Sequence, residues 1–128
     1  RVRADYDATW NVDKVGGHEK AFCCFNATAR DYARVGQALM NGMPDIASPS
    51  WTARLSTPVV KLDYGWGYSA QMWHPFPGIN LMMGLHGQYI YQDKASNTVI
   101  VKLSDMPTSA DGISDDIADV LKQISEKN

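Results

Sequence analysis

Gly84-Leu85-His86-Gly87-Gln88-Tyr89-Ile90-Tyr91 puts two glycines and a histidine into a run that otherwise alternates like a β-hairpin. Glycine weakens a strand, and a histidine gains nothing there by packing. Interior strand glycines mark a bulge or a close approach of ligand or backbone, so the stretch reads as a sheet edge built to receive a ligand. The neighbouring residues support a sheet. Ile79–Leu85 leads in after the turn His74-Pro75-Phe76-Pro77-Gly78. Gln88–Gln92 leads out through Asp93-Lys94-Ala95-Ser96-Asn97 to Thr98–Leu103, whose Val99, Ile100 and Val101 suit a strand covered on both sides. From Tyr64 the period is two, with Trp66, Tyr68, Ala70 and Met72 on one face and Gly67, Ser69, Gln71 and Trp73 on the other. Connections this short make the strands antiparallel.

Before and after the strands the period changes to that of a helix. Asn26 to Gly42 holds the clearest one: Thr28 is placed to cap it, Asp31 suits its first turn, and Asn41-Gly42 is its stop. Tyr32, Val35, Gly36, Leu39 and Met40 form its buried stripe. A second, short helix starts at Ser48-Pro49 and ends before Pro58. Asp111 to Lys127 is amphipathic, with Ile113, Ile117, Val120, Leu121 and Ile124 as its apolar stripe. Asp111, Asp115 and Asp116 crowd its start, and Lys122 and Lys127 its end. Residues Arg1 to Phe25 have no clean period and read as a loop-rich segment that lies on something else. The expected class is α+β, an antiparallel sheet of about four strands preceded by two helices and closed by a C-terminal helix.

A chain of 128 residues can bury one core. Its formal net charge of −2 gives no basic face for nucleic acid or anionic membranes, and no apolar run approaches the ~20 residues that span a bilayer. The chain starts with Arg1 rather than Met, which leads us to expect a cleaved, trimmed or longer parent sequence. Cys23 and Cys24 are adjacent, whereas a disulfide prefers Cα atoms ~5.5–6 Å apart, so they read as free, buried thiols.

No residue pattern supplies a catalytic set. His18-Glu19 does not continue to a zinc-protease helix because position 22 is Phe, and His18, His74 and His86 lack paired-ligand spacing. Phosphate-cradling glycine loops are absent, so no cofactor is expected. A serine activated by lysine needs Ser-x-x-Lys, since i and i+3 share a helix face; none of the nine serines has it, and no Gly-x-Ser-x-Gly elbow occurs. Asp115, Asp116 and Asp119 read as a solvated helix start. The glycine-opened strand remains, where backbone N–H groups could stabilise an oxyanion. The alternative is that Gly84 and Gly87 relieve crowding or form a bulge, and that His86 is a half-buried polar residue.

Three ordered stretches nevertheless resemble one family. They are Trp10-Asn11-Val12-Asp13 through Gly16-Gly17-His18-Glu19 and Cys23-Cys24-Phe25-Asn26-Ala27-Thr28-Ala29-Arg30-Asp31-Tyr32-Ala33-Arg34-Val35-Gly36, then Trp66-Gly67-Tyr68, then Gly84 to Tyr91. Together they look like the last third of the serine β-lactamase-like superfamily, in the branch of class C-related hydrolases similar to 6-aminohexanoate-dimer hydrolase. The resemblance implies attack on amide or ester carbonyls by the serine of Ser-x-x-Lys, aided by a tyrosine, through an acyl-enzyme. Those elements would lie upstream, in a missing N-terminal part. The family's Lys-Thr-Gly strand maps to Met82-Met83-Gly84: the glycine matches and the lysine does not, which favours an amidase or esterase over a β-lactamase.

By the same resemblance the Leu85 N–H is an oxyanion donor, and Gly84, His86, Gly87 and Gln88 line or brace the substrate pocket. Arg30, Asp31 and Arg34 are expected to be structural. Residues 1–128 would then be the C-terminal portion of a hydrolase domain, inactive alone. Its partners would be the missing N-terminal part and a small amide or ester substrate. A self-sufficient sheet-based binding module is the competing expectation. A thiol enzyme using Cys23 or Cys24 with a histidine is a third.

Overall fold

The computed structural model describes residues 4–107 and 113–127. It opens with a two-stranded antiparallel ribbon, β1 (Thr9–Trp10) with β2 (Phe25–Asn26), extended by a bridge between Val12 and Glu19. Helix α1 (Ala29–Met40) follows, then α2 (Pro49–Ser56). Six strands come next: β3 (Val60–Lys61), β4 (Gly67–Tyr68), β5 (Trp73–His74), β6 (Ile79–Met83), β7 (Tyr89–Asp93) and β8 (Thr98–Lys102). They form one antiparallel meander in chain order, and α3 (Ile113–Ser125) closes the described chain.

Local chemistry sets the helix starts. The Thr28 hydroxyl accepts the Asp31 N–H at 3.1 Å and donates to the Asp31 carboxylate at 2.8 Å, a reciprocal cap on α1. Ser48 caps α2 through the Trp51 N–H, with Pro49 in the first turn. Asn41 ends α1, and Gly42 follows in the left-handed region at φ 82°. The acidic start of α3 is seen at Asp115 and Asp116; Asp111 lies outside the described residues.

The central strands divide their side chains between two helical layers. Register pairs Leu81 with Tyr91 and Tyr91 with Ile100, and this face packs on Ala118 and Leu121 of α3 together with Trp66, Ile79 and Tyr89. The opposite face meets α1 where the helix offers no side chain. A Cβ on Gly36 would lie 2.7 Å from Val99 Cγ1 and 2.8 Å from Ile90 Cγ2. Glycine lets α1 approach the sheet closely, at some cost to its own helix propensity.

Four expectations change. The sheet has six strands rather than about four, plus the ribbon, because strands of two residues are too short to show a period. The run from Tyr64 to Trp73 is not one strand. It reverses at Ser69–Met72, where the Ser69 N–H donates to the Met72 carbonyl at 2.9 Å and Gln71 takes φ 65°. Neither glycine nor proline marks that turn, so the alternation ran through it unseen. The α3 stripe is only partly covered: Leu121 is buried, whereas Ile113, Val120 and Ile124 are exposed. Cys23 and Cys24 are neither free nor fully buried; they form a disulfide with one another and are half-buried, with Cα atoms 3.7 Å apart and Cys24 at φ 72°. The backbone bends to bring adjacent sulfurs together, a solution the usual disulfide spacing does not include.

Candidate functional site

Gly84 to Gln88 is the connection between β6 and β7, and its hydrogen bonds define a three-residue hairpin loop. The Gly87 N–H donates to the Gly84 carbonyl at 3.0 Å, and the Gly84 N–H donates to the Gln88 carbonyl at 2.8 Å. Gly87, at φ 77°, supplies the left-handed residue that such loops need to return to the strand. The two glycines therefore bracket a turn and do not sit inside a strand. Leu85 and His86 form its exposed tip.

Side chains hold this turn from below. The Gln88 carboxamide accepts the His86 backbone N–H at 3.2 Å and donates to the Ser104 carbonyl at 2.7 Å. It occupies the space over Gly84, where an added Cβ would come within 2.5 Å of Gln88 Oε1. The His86 ring is anchored through Nδ1, 2.8 Å from the Met106 carbonyl, and the Met106 N–H donates back to the His86 carbonyl at 3.2 Å. A carbonyl can only accept, so Nδ1 carries the proton in this bond. Lys102 adds a third tie, Nζ donating to the Gly87 carbonyl at 2.9 Å.

Among the described residues the tip keeps polar groups without a protein partner, the Leu85 N–H one of them. Among the described residues the Leu85 N–H has no hydrogen-bond acceptor, and Leu85 is 70% exposed. Its position explains this, because the second residue of a turn closed between the first and fourth has no internal partner for its N–H. Pairing with β5 occurs at Trp73↔Leu81, while Met82 and Met83 ladder with β7 on their other side.

The structure thus brings Gly84, Leu85, His86, Gly87 and Gln88 together in one braced loop. It adds Lys102, Ser104 and Met106, which sequence reading missed. The signal for Lys102 was present. An antiparallel hairpin turning at Lys94–Asn97 places Lys102 opposite Tyr89, the register observed. Nothing comparable marks Ser104 or Met106, which follow the strand in irregular chain.

Two other polar clusters are structural. Asp31 accepts from the Asp5 N–H at 2.9 Å and from Arg34 at 2.8 Å, and Arg34 also reaches Asp5 at 2.7 Å. First the Asp5 amide, then Thr28 and Arg34, lower the Asp31 carboxyl below its ordinary range against the opposing effect of burial. Arg30 stands 3.7 Å from the Asp5 carboxylate at the solvent side. Buried His74 bridges the Ile79 carbonyl (3.0 Å) and the Ser69 hydroxyl (2.9 Å), while Ser69 donates to the Leu55 carbonyl. That seryl–histidine pair sits inside the fold as a strut between α2, the Ser69–Met72 turn and β6.

No family model matches the chain. A solved structure named "Putative 6-aminohexanoate-dimer hydrolase from Bacillus anthracis" superimposes with a TM-score of 0.75 at 28% sequence identity, over 94% of this chain and 34% of that one. The likeness supports the serine β-lactamase-like superfamily. The chain spans about one third of that neighbour's length. No described helix is long and apolar enough to cross a membrane.

Proposed function

We propose that the chain is the C-terminal part of a serine hydrolase that cleaves amide or ester bonds of small substrates through an acyl-enzyme. Its contribution is electrostatic and positional. The Leu85 N–H donates to the developing oxyanion, while Gly84, His86, Gly87 and Gln88 form the adjoining pocket wall. The exposed Leu85 amide, partnerless among the described residues and set in a loop braced by Gln88 and Lys102, carries this reading. A donor held in place before reaction needs no reorganisation when charge develops, which is what oxyanion stabilisation requires. The nucleophile and its lysine lie in another stretch of polypeptide.

Two further features support a missing partner. Among the described residues strand β8 ends the sheet with no strand paired to its outer edge, and a groove of about 500 Å³ runs between β8 and α3, lined by Ile100, Leu103, Ile117, Val120 and Ile124 among others. Open edges and apolar grooves of this kind are normally covered. They equally favour the second reading, a binding module that recruits a partner through this face without catalysis.

The test compares the isolated chain with the chain joined to, or mixed with, an upstream part carrying Ser-x-x-Lys. We expect hydrolysis of p-nitrophenyl esters and labelling by a serine-reactive phosphonate only when both parts are present. In the active assembly Leu85→Pro, which deletes the amide hydrogen, should lower kcat by about 10²–10³-fold, and Leu85→Ala should not. Hydrolysis by the isolated chain would overturn the proposal. An assembly indifferent to Leu85→Pro would remove the oxyanion assignment.

A further inference from the structure

We infer that the Cys23–Cys24 disulfide is a redox-operated latch on the β1–β2 ribbon, opened by a dithiol reductant; this stands independently of the hydrolase reading. A disulfide constrains the unfolded chain more the longer the loop it closes, and this one closes the shortest loop possible, between adjacent residues. It is therefore not a global staple. Its effect is local, on the backbone of Cys24.

Cys24 occupies the left-handed region at φ 72°, which a side-chain-bearing residue seldom adopts without being held. The ribbon depends on that conformation. The Cys24 carbonyl accepts the Asn11 N–H at 3.1 Å and the Asn26 side-chain amide at 3.2 Å. The Cys23 carbonyl accepts the Trp10 indole N–H at 3.0 Å, which is shared with the Lys20 carbonyl at 2.9 Å. Turning Cys24 back to an ordinary conformation moves both carbonyls and releases the strand that leads into α1. Both cysteines are half-buried in a segment that is otherwise mostly exposed, so a small dithiol can reach them.

The chemistry balances with that reductant alone. One reductant thiolate attacks a sulfur of the pair and breaks the Sγ–Sγ bond, giving a mixed disulfide. The reductant's second thiol then displaces the protein sulfur. Two electrons and two protons pass to Cys23 and Cys24, and the reductant leaves as its own disulfide.

The experiment uses the full chain under native conditions with dithiothreitol, iodoacetamide trapping and hydrogen exchange read by NMR. Reduction should admit two alkyl groups and speed exchange at the Asn11 amide and Trp10 indole about tenfold, while β6–β8 stay protected. The Cys23→Ser/Cys24→Ser chain should exchange at the fast rate with or without reductant. Cys23→Ser/Cys24→Gly should exchange more slowly than the double-serine chain, because glycine accepts positive φ without a bond. The inference fails if the native chain resists reduction that the unfolded chain undergoes. It also fails if both thiols are alkylated while Asn11 and Trp10 exchange as before.

Discussion

Gly87 and Gly84 are both required in the braced loop, for different reasons. Alanine at 87 would have to adopt φ 77° and place its Cβ 2.9 Å from Met106 Sδ. We expect Gly87→Ala to cost about 1–2 kcal/mol or more, read as a lower urea midpoint at unchanged m-value. Gly84→Ala meets only the end of a flexible side chain, but that side chain is Gln88, so the substitution should dislodge the brace and leave global stability nearly intact. A different imbalance sits on β7. Gln92 is 2% exposed, and neither atom of its carboxamide finds a partner among the described residues. An orphaned buried amide costs about 1–3 kcal/mol. Gln92→Met should therefore raise the urea midpoint, and a lowered midpoint would mean that the amide has a partner.

Helix α1 carries both a cap and a charge cluster, and the two can be separated by pH. Thr28→Ala removes the hydroxyl that serves the Asp31 N–H and should cost about 1 kcal/mol, measured by chemical denaturation at neutral pH. The Asp31 carboxyl is lowered in the folded state, so its stabilising contribution is fully present above the ordinary carboxylate range and is lost as pH falls from that range through the lower folded-state value. Asp31→Asn should destabilise the chain near neutrality and flatten the fall in stability below about pH 5. Equal slopes for the two chains would mean that another carboxylate dominates acid unfolding. Helix α3 shows a similar division along its length. Ala118, Leu121 and Ser125 face the sheet, with Ser125 3.4 Å from the Tyr91 hydroxyl, while Val120 and Ile124 border the open groove.

The groove is lined by β8 and by the residues Asp116 to Ile124 of α3. A polar substitution there should separate folding from association. Val120→Asp is expected to change the stability of the isolated chain by no more than about 0.5 kcal/mol, because the side chain is already exposed. It should markedly weaken capture of the upstream part proposed above, measured as Kd by titration calorimetry. Unchanged affinity would direct attention to another face of the sheet.

Features governed by neighbours three or four residues apart were legible in the linear chain. The Thr28 and Ser48 caps, the helices α1 and α3 themselves, the Asn41-Gly42 stop and the long strands β6 to β8 follow from side-chain period and backbone preference, which act locally, while only part of each expected stripe is buried: Gly36 and Met40 on α1, Leu121 on α3. The loop at Gly84–Gln88 was legible as a point of interest for the same reason: glycine and histidine break a strand pattern wherever they fall. What the loop presents was decided elsewhere in the chain. The Leu85 amide is left free because the turn closes around it, and the turn is held by Lys102, Ser104 and Met106, brought there by the register of β7 on β8. The two-residue strands likewise depend on contacts across space, whereas the Ser69–Met72 reversal and the Cys23–Cys24 bond are local but carry left-handed residues, Gln71 and Cys24, that ordinary preference does not announce. Local propensity there is weak or misleading, and for the short strands only the packing of distant segments selects one conformation.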